Sequence, residues 1–164
     1  MSLVIVYTIF MDSVGPSFFN SDTCSVANSL VGRELVFSSE KGLVGGVISE
    51  VEAYTQEDPA CHAYNGKRTK RNTVMFKAPG TLYVYFIYGM YYCLNIVTEP
   101  AGRGCAVLIR SIIPTIGIDI MKANRDPCRE HNLCNGPAKL VQALGITMRL
   151  NGVMICLLYT SDAA

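Results

Sequence analysis

The sequence predicts a single α+β domain, in which a curved, mainly antiparallel β-sheet carries a projecting β-hairpin and is flanked by helices. Its 164 residues are enough for one compact domain with a hydrophobic core and too few for two domains of ordinary size. Half of the residues are hydrophobic and only 16% are charged, a balance that excludes a disordered chain. Several strand-like runs follow one another across short polar turns, with helical patterns before and after them.

The N-terminal half of the chain predicts one short helix and two strands. A polar start, small and apolar residues and a stop at Gly32 predict a helix over residues 21–31. Branched residues predict strands over residues 33–37 and 44–54, separated by a polar turn at residues 38–42.

The predicted strand 44–54 has two different faces, because side chains alternate along a strand. Three apolar residues would share the core face: Val47, Val51 and Ala53. The other face would carry Ile48 together with two carboxylates and an aromatic ring, those of Glu50, Glu52 and Tyr54. This second face leads directly into a long polar segment.

Residues 55–79 mix Asp, Pro, Asn, Gly and basic residues with little periodicity, which indicates a long irregular surface segment. Long loops are where binding and catalytic residues concentrate. Residues 81–98 then contain two runs rich in Tyr, Val and Ile around Gly89 and Met90. With glycine first in a two-residue loop, these runs predict a tight β-hairpin.

The C-terminal third predicts one more strand and two helices. The strand covers residues 105–110 and is followed by Pro114 and a helix that ends at about Asn124. After a polar link at residues 125–132, a second helix is predicted over residues 137–144, capped by Asn135 and ended by Gly145.

The two ends of the chain are expected to lie outside the main domain, which spans residues 17–152. The apolar run 3–10 is too short to cross a bilayer and lacks the basic flank of a signal peptide. Residues 1–16 are therefore expected to be an extra strand or a non-native leader. Residues 153–164 stop before completing another element and are expected to be a truncated or non-native tail.

The net charge of +1 does not mark a nucleic-acid-binding protein, but four basic residues cluster in one segment: Lys67, Arg68, Lys70 and Arg71. A solvated loop is the simplest explanation of such a run. The seven cysteines include no CxxC pair and no histidine at zinc-site spacing. This pattern favours a reduced cytosolic or nuclear protein without a metal site.

Three features could carry chemistry, and each has an ordinary alternative. Glu52 beside Tyr54 could be a catalytic carboxylate or the hydrated side of a half-exposed strand. His62 could line a pocket, although a histidine in a loop is usually a surface residue. Tyr88, next to the hairpin turn, could wedge into a base stack or belong to an ordinary sheet surface.

These features occur in an order and spacing that resemble the alkyladenine (3-methyladenine) DNA glycosylase family over residues 17–152. Several separate motifs in register are more specific than any single short pattern. The motifs are Glu52-Ala53-Tyr54, His62, Arg71-Asn72, Met75-Phe76, TLYVYFIYGMYYCLN from Thr81, GCAVLIRSIIP from Gly104 and NGPAKLVQALGI from Asn135.

The resemblance implies roles for individual residues. Glu52 matches the general base that activates the hydrolytic water, and Arg110 would help to orient both. Three residues would stack on an extruded purine, with His62 also supplying a hydrogen bond: Tyr54, His62 and Tyr85. Asn95 matches an asparagine that excludes guanine by clashing with its exocyclic amine.

The resemblance also implies a DNA-binding surface. Tyr88 would fill the gap left by the flipped nucleotide, with Met90 beside it. Tyr85 and Tyr88 would face opposite ways on an unbroken strand, so the turn must rotate Tyr88 outward. The basic residues would contact phosphates and make binding salt-sensitive: Lys67, Arg68, Lys70 and Arg71.

The implied protein is a monomeric, cytoplasmic or nuclear repair enzyme that does not bind membranes. It would flip an alkylated or deaminated purine out of double-stranded DNA and hydrolyse the N-glycosidic bond, leaving an abasic site in an unbroken strand. No metal, cofactor or Schiff-base lysine is implied. Two alternatives remain: a non-catalytic DNA-binding module that recognises damaged or distorted duplex, and a small-molecule transferase on a similar sheet.

Overall fold

Seven β-strands and three α-helices form within residues 6–10, 16–125 and 129–159, the parts of the chain that the computed structural model describes. The strands are β1 (Val6–Phe10), β2 (Glu34–Ser39), β3 (Gly42–Tyr54), β4 (Leu82–Ile87), β5 (Tyr91–Val97), β6 (Ala106–Ile116) and β7 (Cys156–Tyr159). The helices are α1 (Thr23–Leu30), α2 (Ile118–Asn124) and α3 (Pro137–Leu144).

All of the described strands belong to one sheet, in the order β4-β5-β6-β3-β2-β1-β7. Neighbouring strands are antiparallel except β1 and β7, which run parallel. The predicted α+β domain, with a mainly antiparallel sheet and flanking helices, is therefore confirmed.

Helices α1 and α3 pack against the sheet and enclose the main hydrophobic core. Helix α3 contacts β5 and β6, and α1 contacts β3. The buried residues of α3 lie on one face of the helix: Leu140, Val141, Ala143 and Leu144. Truncation of the fully buried Leu140 to alanine would cost about 2–5 kcal/mol. This core supports the strands that carry the candidate site.

The helix ends follow local sequence signals with one exception. Helix α1 begins slightly later than predicted because the Asp22 side chain caps its first turn. Helix α3 spans the predicted residues and ends at Gly145, whose φ of 70° is easily adopted by glycine. The prediction that Asn135 caps α3 is wrong. Gly136 occupies that position, and the Asn135 side-chain oxygen accepts a hydrogen bond from Lys139.

The pairing of β3 with β6 shifts register on both sides of Glu50. Before the shift, Ile48 is buried in the main core; after it, Val51 and Ala53 pack against the same core. Such an irregularity turns the following side chains to the opposite face of the sheet. The prediction that Ile48 shares a face with Glu50, and Val47 with Val51, is therefore wrong.

Strand β6 continues past Pro114, although the sequence predicted a strand end at residue 110. Pro114 pairs with Gly46 next to another register shift, a place where a sheet tolerates proline. A Cβ on Gly46 would lie 2.1 Å from the carbonyl oxygen of Ile113, so glycine is required there. The helix that follows is short and ends at Asn124, as predicted.

Parts of the expected leader and tail lie outside the described residues, namely residues 1–5, 11–15 and 160–164. The same holds for Cys128 in the expected polar link. None of the helices in the described ranges is long and apolar enough to cross a membrane.

Candidate active site

The irregular segment 55–79 covers a small hydrophobic cluster of its own. The buried members of this cluster come from the segment and from β4, β5 and β6: Cys61, Ala63, Met75, Phe76, Tyr83, Val97 and Ala106. Gly104 permits this packing, because a Cβ there would lie 2.3 Å from the Cβ of Ala63. The segment is therefore fixed against the sheet and forms one side of a cavity.

Buried Asn72 fixes the same segment through its side-chain amide. Nδ2 donates to the backbone oxygens of His62 and Lys67, each at 2.8 Å, and Oδ1 accepts from the backbone N–H of Thr69 at 2.7 Å. Sequence reasoning gave Asn72 no role beyond its place in a motif. A single asparagine in a polar segment carries no periodic signal of burial.

A cavity of about 130 Å³ lies between this segment and the hairpin, and is called the aromatic cavity below. Its lining residues are Tyr54, Ala60, His62, Met75, Tyr83, Tyr85 and Asn95. The structure thus brings together the four residues predicted to bind a base: Tyr54, His62, Tyr85 and Asn95. Asn95 is almost fully buried, and its Nδ2 donates to the backbone oxygen of Tyr83 at 3.2 Å.

Three rings of the aromatic cavity contact one another. The centroids of His62 and Tyr85 are 4.7 Å apart, in an edge-to-face arrangement. Tyr83 lies 5.2 Å from Tyr85, and its hydroxyl lies 2.9 Å from Nδ1 of His62. Tyr83 was not predicted as a cavity residue, because a tyrosine in a strand looks the same in the sequence whether it lines a cavity or lies on an ordinary sheet surface.

The rings of the aromatic cavity are uncharged at neutral pH. Partial burial of the imidazole and, secondly, the nearby charge of Arg71 lower the pKa of His62 below its ordinary value. Burial raises the pKa of Tyr83 to about 12 and also raises that of Tyr85. With Nδ1 of His62 bonded to Tyr83, Nε2 is left for a ligand.

The Glu52 carboxylate lies beside the aromatic cavity and has two hydrogen-bond donors. The Tyr54 hydroxyl donates to Oε2 at 2.5 Å, and Nη1 of Arg110 donates to Oε1 at 2.8 Å. The hydrogen bond to Glu52, followed by burial, raises the pKa of Tyr54 to about 12. Glu50 is farther away, with Oε2 at 3.9 Å from Nε of Arg110. Glu52 is 37% exposed, so water can reach it.

This arrangement combines a water-accessible carboxylate with an uncharged aromatic recess. Such a carboxylate can accept a proton from water or stabilise a developing cation. A second cavity, of about 590 Å³, lies between the end of β2 and the segment after α3 and contains none of the predicted site residues. Among the residues that the structure covers, no three His, Cys, Asp or Glu side chains are grouped as metal ligands.

The family model of methylpurine-DNA glycosylase matches residues 17–162, which is most of the chain. The chain belongs to the methylpurine-DNA glycosylase family. The resemblance inferred from the sequence motifs is confirmed. At the level of the family, DNA glycosylase activity and a part in DNA repair follow, with DNA as the substrate.

Bacterial relatives of the chain support the family assignment. A Carboxydothermus hydrogenoformans protein is 53% identical over 135 residues, which are 82% of this chain and 70% of that protein. A Francisella tularensis protein is 48% identical over 131 residues, 80% of this chain and 67% of that protein. A Bacillus cereus protein is 46% identical over 147 residues, with shares of 85% and 72%. Each bears a provisional name as a 3-methyladenine DNA glycosylase.

The hairpin formed by β4 and β5 projects beyond the sheet, because β6 pairs only with residues 95–97 of β5. At its tip, Tyr88 and Gly89 have φ values of 50° and 69°, and the N–H of Met90 donates to the oxygen of Ile87 at 3.2 Å. The predicted turn, with Gly89 first, is wrong by one residue. Tyr88 itself takes the left-handed conformation, and its side chain is 90% exposed. Met90 beside it is 64% exposed.

All four residues of the basic cluster are exposed, and its two arginines also lie over aromatic rings. The guanidinium of Arg68 lies 4.0 Å from the ring centre of Phe76, and that of Arg71 lies 5.1 Å from the ring centre of Tyr85. Arg71 also donates to the backbone oxygen of Phe86 at 3.0 Å. The two arginines therefore lie against aromatic residues next to the cavity.

Proposed function

We propose that the protein excises a damaged purine from double-stranded DNA by turning the nucleotide out of the duplex and hydrolysing its N-glycosidic bond. The observation that carries this proposal is the Glu52 carboxylate, bonded to Tyr54 and Arg110 beside the aromatic cavity. Family membership supplies the substrate class, a methylated purine in DNA. A recess of this kind can receive a purine only after the base has left the stack.

The base would stack between Tyr54 and a wall formed jointly by His62 and Tyr85. The rings of His62 and Tyr85 are in contact at 4.7 Å, so no base can insert between them, which would need about 7 Å between ring planes. The electron-rich face of Tyr54 can stack on an uncharged purine or on one that alkylation has made cationic. Nε2 of His62 would complete recognition with a hydrogen bond to the base.

Glu52 would act as the general base of the hydrolysis. As the bond between the sugar C1′ and the base nitrogen breaks, its electron pair leaves with the base and positive charge develops on the sugar. The carboxylate stabilises that charge and takes a proton from the water whose oxygen bonds to C1′. Arg110 orients the carboxylate through the 2.8 Å hydrogen bond.

The product would be a free base and an abasic site in an unbroken strand. Formation of a Schiff base would require a lysine amine at C1′. No lysine is among the described residues that line the aromatic cavity, which favours direct hydrolysis by a monofunctional enzyme. The protein would act on DNA as a monomer.

Asn95 would exclude normal guanine. It is 4% exposed, and its Nδ2 is committed to the backbone oxygen of Tyr83. A buried amide fixed in this way cannot move aside for the exocyclic amine of guanine without losing its hydrogen bond. Adenine-like and hypoxanthine bases lack that amine and would avoid the clash.

The projecting hairpin would open the duplex. Tyr88 at its tip has almost no contact with the rest of the protein and could fill the gap left by the flipped nucleotide, with Met90 next to it. Four basic residues would contact the phosphates on either side: Lys67, Arg68, Lys70 and Arg71.

An excision assay tests the proposal. The protein is incubated with duplexes that carry hypoxanthine, ethenoadenine or no lesion, and the products are treated with alkali, which breaks DNA at abasic sites. Breaks at the lesion alone are expected. Lesion-selective binding in a gel shift without any breaks would instead identify a non-catalytic DNA-binding module. Absence of DNA affinity at any salt concentration would favour a small-molecule enzyme on the same fold.

A further inference from the structure

Arg71 lies over the ring of Tyr85 and does not itself line the aromatic cavity. Its guanidinium carbon is 5.1 Å from the ring centre, and Nη2 donates to the backbone oxygen of Phe86 at 3.0 Å. Tyr85 lines the aromatic cavity and also lines a separate depression, which includes Arg71. The Tyr85 ring therefore borders both the exposed cation of Arg71 and the cavity in which the base would stack.

The charge of Arg71 is not neutralised by a neighbouring acid. The ion pairs among residues 16–125 and 129–159 all use other basic side chains. The acid beside the cavity, Glu52, is paired with Arg110 at 2.8 Å, and Glu50 also lies within 3.9 Å of Arg110. Arg71 is exposed, so solvent weakens its positive field, but part of that field reaches the cavity. Consistently, it lowers the pKa of His62, where burial has the larger effect in the same direction.

A cation on one face of an aromatic ring weakens the attraction of the opposite face for a second cation, since both draw on the same electron density. The two cations also repel each other directly through the protein. An uncharged base is subject to neither effect. Building on the proposed function, we propose that Arg71, as a positioning residue acting through Tyr85, makes the cavity favour uncharged damaged purines such as hypoxanthine over cationic ones such as 3-methyladenine.

Equilibrium binding tests this preference separately from the chemical step. Duplexes carry either 3-methyladenine or hypoxanthine on a 2′-fluoro sugar, in which the fluorine destabilises the sugar cation and prevents cleavage. Neither base has the exocyclic amine that Asn95 would exclude. The Kd of each duplex is measured for the native chain, Arg71→Gln and Arg71→Lys at one salt concentration. Arg71→Gln is expected to shift the ratio of the two Kd values by about threefold toward the cationic lesion. Arg71→Lys retains a cation and is expected to keep the native ratio.

The outcomes separate the alternatives. If Arg71→Gln weakens both duplexes by the same factor, Arg71 contacts phosphate only and the inference is overturned. A shift of equal size in Arg71→Lys would assign the effect to the contact with Phe86 instead of the charge, and would overturn it as well. If the native protein binds neither lesion more tightly than undamaged duplex, the proposed function itself fails, and this inference fails with it.

Discussion

The hydroxyl of Tyr54 donates a hydrogen bond of 2.5 Å to Oε2 of Glu52. The two residues lie two positions apart at the end of β3, so their side chains share one face of the strand. The hydrogen bond joins a ring of the aromatic cavity to the carboxylate beside it. A base stacked on Tyr54 would therefore have its sugar close to Glu52.

Removal of this hydrogen bond should affect catalysis more than binding. Tyr54→Phe keeps the ring but leaves one oxygen of Glu52 without its donor, so the single-turnover rate on hypoxanthine duplex should fall roughly tenfold or more. The Kd for the duplex that contains the lesion should change little. Tyr92→Phe is the matched control, because Tyr92 lies outside the aromatic cavity, against Phe86. An unchanged rate in Tyr54→Phe would show that the hydrogen bond has no catalytic part.

Truncation at the hairpin tip should weaken capture of the flipped base. Tyr88→Ser removes the exposed ring, so the Kd for lesion-containing duplex should rise several-fold, as expected for the loss of one base-stacking aromatic side chain. Because Tyr88 is 90% exposed, the unfolding free energy should be unaffected. Gel shifts and urea unfolding measure the two quantities. If Tyr88→Ser bound the lesion-containing duplex with native affinity, Tyr88 would have no part in holding the flipped nucleotide.

A buried network away from the site should control stability. Glu99 accepts hydrogen bonds from the hydroxyl of Thr23 at 2.5 Å and from Nε of Arg103 at 3.2 Å. Burial alone would raise the pKa of Glu99, but these donors outweigh it and lower the pKa below the ordinary value. Glu99→Gln should therefore reduce the free energy of unfolding by about 1–3 kcal/mol at pH 7.

The stabilisation by Glu99 should depend on pH in a defined direction. Because its folded pKa is lowered, the contribution is complete above the unfolded pKa of about 4.3 and is lost as pH falls through the folded value. The free energy of unfolding of the native and Glu99→Gln chains is measured in urea at pH 7 and at pH 3. The difference between the two chains should be smaller at pH 3. Glu57→Gln removes the exposed partner of Arg103 and should cost less than about 1 kcal/mol. An equal cost for both variants would contradict this assignment.

Packing at Gly104 should couple segment 55–79 to the aromatic cavity. Gly104→Ala places a Cβ about where the Ala63 side chain lies, at 2.3 Å, and overpacking of this kind costs about 1–3 kcal/mol. Displacement of the segment should also weaken lesion binding. Adding Ala63→Gly to the same chain should restore part of both losses. A Gly104→Ala chain with native stability and affinity would mean that the segment adjusts freely.

Features set by local sequence could be predicted. The hairpin, helix α3 and the carboxylate face at the end of β3 depend on alternation, turn residues and a glycine stop, all within a few positions. The convergence of Tyr54, His62, Tyr85 and Asn95 on one cavity could not be obtained from these patterns. It came from the resemblance to a family.

Features set by distant contacts could not be predicted. Whether Ile48 or Glu50 faces the core depends on how β3 pairs with β6, a strand far along the chain. Burial of Asn72 and Tyr83 depends on how segment 55–79 lies on the sheet. Positive φ is usually adopted by glycine, so the turn was predicted to begin at Gly89. In the structure Tyr88 also has positive φ, and the turn begins one residue earlier.

Glu52 is proposed to activate the water that attacks the sugar C1′. Single-turnover excision of hypoxanthine should be at least about a hundredfold slower in Glu52→Gln, with the Kd for the same duplex nearly unchanged. Glu50→Gln, at the more exposed neighbouring carboxylate, should cleave at close to the native rate. Cleavage by Glu52→Gln at the native rate would contradict the account.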